Sequence, residues 1–152
     1  MLKYIIVGLP RSGTTWLSHF LSIDECQCLH DPSAFFSKQE MSLFNGGLCD
    51  TGLWFDMDWC REKTRKLIVI ERPIEDVNKS LTKLKFPLVT KYFYERFMKV
   101  KGLADYIIYF DSLFVSEDEA REFWEFVYPE IPFDKDRWKE LSKIKINSFV
   151  GD

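Results

Sequence analysis

The stretch that most limits the fold is GLPRSGTT, residues 8–15, which follows the apolar run KYIIVGL and leads into an amphipathic segment. A short β-branched run, a glycine-bounded loop, and apolar residues at helical spacing (Trp16, Leu17, Phe20, Leu21, Ile23) together predict a continuous strand, turn and helix. Gly8 and Gly13 allow backbone angles that other residues resist, so successive N–H groups can converge on one concavity. A helix starting near Thr14 adds the positive end of its dipole at the same place. Ser12, Thr14 and Thr15 supply hydroxyl donors, and Arg11 supplies a forked cation suited to oxyanions. An ATP-using loop carries a lysine that reaches the β and γ phosphates, but position 14 here is a threonine, short and uncharged. The loop therefore reads as an anion receptor for a donor whose transferred group is less charged and needs no metal.

The rest of the chain supports an α/β reading. KLIVIER at 66–72 and DYIIYFD at 105–111 are short and apolar throughout, the pattern of buried parallel strands. CQCLH at 26–30 and IKIN at 144–147 are weaker strand candidates. Helical patterns lie between the strands. One opens at Pro73, with Glu75 and Asp76 in its first turn, and another covers Lys83–Lys101, restarting after Pro87. A third is capped by Ser116 with Glu119 and ends at Pro129, and the last is DKDRWKELSK. Residues 45–58, NGGLCDTGLWFDMD, are turn-rich and read either as a mobile loop over a site or as a surface connection. Strands alternating with helices give a single domain, 1–152, with a three-layer P-loop-type fold and a mostly parallel central sheet flanked by helices.

Composition narrows the partners. A net charge of −3 proposes no nucleic-acid and no anionic-membrane partner, so an anion site has to be built locally. No run approaches the roughly 20 apolar residues of a membrane span, and YIIVGLP is too short for a signal-peptide core, so the expected compartment is the cytoplasm. Cys26, Cys28, Cys49 and Cys60 match none of the usual zinc spacings even with His30 nearby, and read as buried or half-buried thiols rather than a metal site.

PRSGTTWL resembles the 5′-phosphosulfate loop of PAPS-dependent sulfotransferases, commonly P-[KR]-[ST]-G-[ST]-[TS]. A second stretch, IVIERPIEDVNKSL at 68–81, resembles the 3′-phosphate motif of the same family. It has Arg72 and Ser80 eight residues apart, with Asp76 and Val77 between them. YIIYFDSLF at 106–114 is similar to a late family strand, with Asp111 near the sheet edge in a structural role. The resemblance implies PAPS as sulfuryl donor, PAP as product and no metal. It assigns cofactor contacts to Arg11, Ser12, Gly13, Thr14, Thr15 and Trp16 at one end, and to Arg72 and Ser80 at the other. It runs from the first strand to about residue 115. The Arg-Lys-Gly segment that closes over the cofactor in many cytosolic members has no match here, and INSFVGD at the end is at best a vestige.

Sulfuryl transfer to a hydroxyl needs an aligned acceptor, a base and positive charge on the leaving phosphate. Arg11 and the loop amides answer the last need. For the base, CLHDPSAFF at 28–36 follows the second strand, where branches of the family carry a glutamate or histidine often followed by proline. Asp31 aligns slightly better, while His30 has the titration range of a base near neutrality. His19, inside the first helix, reads as a packing or surface residue. Phe35, Phe36, Phe44, Trp54 and Phe55 can line an aromatic pocket, although such spacing also suits a core. The acceptor is a hydroxyl on a small molecule, phenol, sugar or peptidyl tyrosine. Two other readings stand beside this one: a small magnesium-dependent nucleotide or nucleoside kinase, and a PAP-binding module without catalysis.

Overall fold

The computed structural model describes residues 1–144. Its elements in chain order are β1 (Tyr4–Gly8), α1 (Thr14–Leu21), β2 (Cys28–His30), α2 (Lys38–Leu43), β3 (Gly47–Asp50), α3 (Met57–Lys63) and β4 (Leu67–Glu71). Then follow α4 (Ile74–Lys83), α5 (Lys91–Lys101), β5 (Tyr106–Tyr109), α6 (Phe110–Val115), α7 (Glu117–Val127) and α8 (Lys135–Lys143). The strands form one sheet in the order β2-β3-β1-β4-β5, and every neighbouring pair is parallel. β1 lies between β3 and β4, so the chain leaves it toward one side of the sheet and later returns on the other. This arrangement opens a crevice at the carboxyl end of β1.

Side-chain alternation along the strands builds two cores. Tyr4 and Ile6 of β1, with Ile68 and Ile70 of β4, face a cluster closed by α1, α6, α7 and α8. Ile5, Val7, Leu67 and Val69 face the opposite cluster, closed by α2, α3, α5 and the 3-10 turn Leu53–Phe55. The three layers of the α/β reading are thus present, and all strand pairs are parallel. No helix among the described residues is long and apolar enough to cross a membrane.

The structure corrects four local expectations. Residues 45–58 are not one irregular connection, because they contain β3, four buried residues paired with both β1 and β2. Gly47, which resembles a turn residue in the sequence, is required by packing: a Cβ there would stand 1.9 Å from the Tyr4 ring. The helix expected over Lys83–Lys101 begins only at Lys91, capped by the Thr90 side chain, which accepts from the Phe93 amide. The strand expected to run to Asp111 stops at Tyr109 and turns directly into α6. CQCLH narrows to a strand over Cys28–His30, and IKIN lies outside the described residues apart from Ile144. All four cysteines are buried.

Candidate functional site

The loop after β1 is held in a conformation that few sequences tolerate. Arg11 (φ 67°) and Gly13 (φ 89°) both adopt left-handed backbone on either side of Ser12. A Cβ on Gly13 would also stand 2.7 Å from the Phe110 ring, so glycine is required there by angle and by space. Arg11 has no such freedom, and a side chain in the left-handed region costs about 1–2 kcal/mol. Strain of this kind persists where the surroundings over-determine it, and it concentrates at binding sites.

α1 starts at the end of this loop. Its first amide with an acceptor is that of Leu17, which donates to Gly13 O at 3.0 Å. The amides of Thr14, Thr15 and Trp16 therefore have no acceptor within the helix, and they share its positive end. Ser12 is fully buried, and its hydroxyl has no hydrogen-bond partner among the described residues. Among the described residues, these three amides and the Ser12 hydroxyl have no acceptor, and they lie within five residues.

The second predicted grip joins the first. Arg72 follows β4, and its Nη1 donates to Arg11 O at 2.5 Å. Arg11 Nε donates to Ser80 Oγ, on α4, at 3.0 Å. The Arg72 guanidinium lies 4.2 Å from the centre of the Phe110 ring, which is also the ring that packs against Gly13. Arg72 Nε is buried with no acceptor, and no carboxylate stands within ion-pair distance of Arg72 among the described residues. Burial holds this guanidinium below its ordinary pKa and the charge of Arg11 adds to that, while Asp76 and Asp111 act in the opposite direction. Arg11, Arg72 and Ser80 thus form one continuous cluster with the loop.

On the other side of the loop, His30 at the end of β2 faces α1. Its Nε2 lies 3.2 Å from Thr14 Oγ1, 3.0 Å from Thr15 Oγ1 and 3.3 Å from Asp31 Oδ2. Asp31 also stands in the left-handed region (φ 45°), and its Oδ1 accepts from the Thr51 amide at 2.8 Å. Its carboxylate is therefore shared between the loop after β3 and the imidazole. Asp50, fully buried at the end of β3, fixes both loops at once. It accepts from the Ser33 amide and hydroxyl, each at 2.8 Å, from the Gly52 amide at 2.7 Å and from the Leu53 amide at 2.8 Å.

Arg11, Ser12, Gly13, Thr14, Thr15, Arg72, Ser80, His30 and Asp31 therefore gather at one edge of the sheet. Trp16 contributes only its main chain there, because its ring stacks on Phe20 at 4.8 Å and its Nε1 donates to Leu141 O, inside the core. The aromatic residues do not form a single pocket. Trp54 and Phe44 pack against the core, while Phe35, Phe36 and Phe55 are exposed. His19 is exposed on α1. Sequence reasoning missed Asp50 and Phe110. Asp50 lay within residues read as a connection, and Phe110 closed a run read as strand.

No protein-family model matches the sequence, and no curated protein matches it. The fold matches the crystal structure of mouse sulfotransferase SULT7A1 complexed with PAP, with a TM-score of 0.60 at 17% sequence identity. The match covers 92% of this chain and 62% of that one, so this chain spans less than two thirds of that structure's length. The architecture is thus a sulfotransferase-like fold.

Proposed function

We propose that the chain binds PAPS across the crevice at the end of β1 and passes its sulfuryl group to a hydroxyl without a metal. The observation that carries this reading is Arg72, a half-buried cation with no carboxylate partner among the described residues and an orphaned Nε. It stands one hydrogen bond away from a loop in which the amides of Thr14, Thr15 and Trp16 and the Ser12 hydroxyl have no acceptor among the described residues. A ligand with two anionic groups, one at the loop and one at Arg72, answers both deficits. The residues present therefore fit PAPS. Ser12, Gly13, Thr14, Thr15 and the Trp16 amide hold the 5′ end, with Arg11 beside them, and Arg72 with Ser80 holds the 3′-phosphate.

When bound, PAPS supplies an activated sulfuryl group on a phosphate leaving group. The chain's part is orientation and proton handling. The α1 amides and Arg11 offset the negative charge that grows on the leaving phosphate. His30 Nε2 is the side-chain base facing the loop, and it takes the acceptor proton. Asp31 Oδ2, 3.3 Å from that same nitrogen, stabilises the imidazolium that forms once Nε2 has taken the proton. On this reading His30 is ranked ahead of Asp31, the residue that aligned slightly better in sequence, because Asp31 Oδ1 already accepts from the Thr51 amide. The expected compartment is the cytoplasm, and the acceptor is a hydroxyl on a small molecule, phenol or sugar.

The test has two arms. PAP should raise the melting midpoint more than ADP does, and magnesium should add nothing to ADP. A magnesium-dependent ADP response would point instead to a kinase. Labelled PAPS with a panel of phenols, sugars and tyrosyl peptides should then give transfer that His30→Ala lowers about 10²–10⁴-fold while PAP binding survives. PAP binding with no transfer to any acceptor would reduce the chain to a binding module.

A further inference from the structure

The charge of this chain is unevenly distributed. Between Lys79 and Lys101 seven basic side chains face one acidic one, Glu95, so this stretch carries +6 in a chain whose net charge is −3. No acid occurs between Asp76 and Glu95. In the structure this stretch is the second half of α4, the turn after it, and α5. Lys79, Lys83, Lys85 and Lys91 are exposed. Lys79, Lys83 and Lys85 have no ion-pair partner among the described residues, whereas Lys91 stands 3.8 Å from Glu95.

The turn between these lysines carries apolar groups to the surface. Phe86 is 41% exposed and Leu88 55%, with Pro87 between them. Tyr92 (63%) and Phe93 (40%) are also exposed, on α5, where Phe93 packs edge-on against Phe55 and Tyr92. The turn is rigidly built. The Phe86 amide donates to Leu81 O at 3.0 Å and the Lys85 amide to Thr82 O at 3.1 Å, the paired bonds of a Schellman helix end. Asn78 then clamps the far side, donating to Val89 O at 3.0 Å and accepting from the Val89 amide at 2.8 Å.

One residue at this helix end goes against backbone preference. The position after a Schellman cap is left-handed and normally glycine, yet here it is Lys85 at φ 57°. The chain keeps a strained lysine where glycine would be more stable, and it keeps that lysine next to an exposed phenylalanine. An outlier of this kind points toward a use for the side chain.

We propose that the α4–α5 turn is a docking surface for an anionic lipid bilayer, with Phe86 and Leu88 entering the interface and Lys83, Lys85 and Lys91 facing the headgroups. Charge complementarity selects an anionic partner. Exposed aromatics such as Phe86 suit a bilayer interface and stacked bases alike, so the choice of a bilayer rests on Leu88 and Pro87, which acyl chains accept and a phosphodiester strand does not. The whole-chain charge proposed no such partner, but locally Lys79, Lys83 and Lys85 are exposed with no ion-pair partner among the described residues, while Lys101 of the same stretch is paired with Glu71. The reading is independent of what the crevice at β1 binds.

The experiment is co-sedimentation of the full chain with phosphatidylcholine vesicles, with and without about one-third phosphatidylserine. Binding should require phosphatidylserine and disappear near ~1 M salt, where screening shortens to about 3 Å. Lys83→Ala with Lys85→Ala should lower the partition coefficient about twenty-five-fold, taking about fivefold per lysine. Phe86→Ser with Leu88→Ser should lower it at least about tenfold at unchanged charge. Lys85→Gly separates this role from a structural one, because it should raise the melting midpoint while weakening partition about fivefold. Equal binding to neutral vesicles, no binding to either, or retained binding in both double variants would overturn the proposal. So would loss of vesicle binding to competing single-stranded DNA at matched charge.

Discussion

Gly47 makes the residue-scale case that a side chain absent from one strand is set by a ring on the next. The Tyr4 ring occupies the space where a Cβ would go, and Tyr4 is held there by a 3.0 Å contact between its hydroxyl and that of Tyr128. Tyr128 in turn donates to Leu21 O at 2.6 Å, tying β1 to α1 and to the end of α7. Gly47→Ala should therefore destabilise the fold by about 2–3 kcal/mol, the cost of overpacking a closed core. In urea titrations the penalty should be less than additive with Tyr4→Ala, with a coupling of about 1 kcal/mol or more, because removing the ring opens the space. Strictly additive losses would mean that the contact does not govern position 47. His30 belongs to the same scale. Its one nitrogen meets two hydroxyls and a carboxylate, which gives it a defined orientation beside the loop.

At the scale of elements, α1 is fixed at both ends. Its start is shaped by the loop, and its last carbonyls are satisfied from α8. Arg137 Nε donates to Phe20 O at 3.2 Å, and Nη2 donates to Ser22 O at 2.6 Å and to His19 O. A cation at a helix carboxyl end also meets the dipole favourably. Arg137→Ala should cost about 1–2 kcal/mol, read as a lower thermal midpoint, and Arg137→Lys should recover only part of it, since an ammonium cannot span three carbonyls. The elements legible in the sequence were those with local signals. The run into β1 and its glycine-bounded loop, the apolar β4 ending at Arg72, and α7 behind Ser116 were of this kind, and Ser116 does accept from the Glu119 amide at 3.2 Å. β3 was not legible. It is four residues long, its glycine resembles a turn, and its burial comes from β1 and β2 on either side rather than from its own pattern. Asp50 stayed hidden for the same reason, because most of the donors it satisfies are loop amides that no motif marks. The start of α6 was missed because Phe110 extends the apolar run of β5 with no turn residue between them.

At the scale of the whole molecule, two closed cores leave several weak acids in apolar surroundings. Burial pushes the Cys60 thiol up to about 12, raises the Cys49 thiol, and raises the hydroxyls of Tyr4 and Tyr128. These folded-state values lie above the unfolded ones, so the stability they carry is complete below about pH 8.5. As pH rises further the unfolded chain releases protons first, and stability falls by up to ~1.4 kcal/mol per pH unit for each cysteine involved. The melting midpoint should therefore drop steadily above about pH 9, and Cys60→Ala should make that decline shallower. A flat profile through this range would contradict the burial of the thiols. The same architecture brings the ends of β1, β2 and β4 to one edge, where the loop, His30 and Arg72 meet, and the claim that this edge holds one doubly phosphorylated ligand has a direct test. Calorimetric titration should compare PAP with adenosine 5′-phosphate, which lacks the 3′-phosphate, in the native chain and in Arg72→Ala. PAP should bind the native chain at least about tenfold more tightly, and Arg72→Ala should abolish that advantage while leaving adenosine 5′-phosphate within about twofold, the loss expected for a charge-assisted contact. Equal losses for both ligands, or no native preference for PAP, would contradict it.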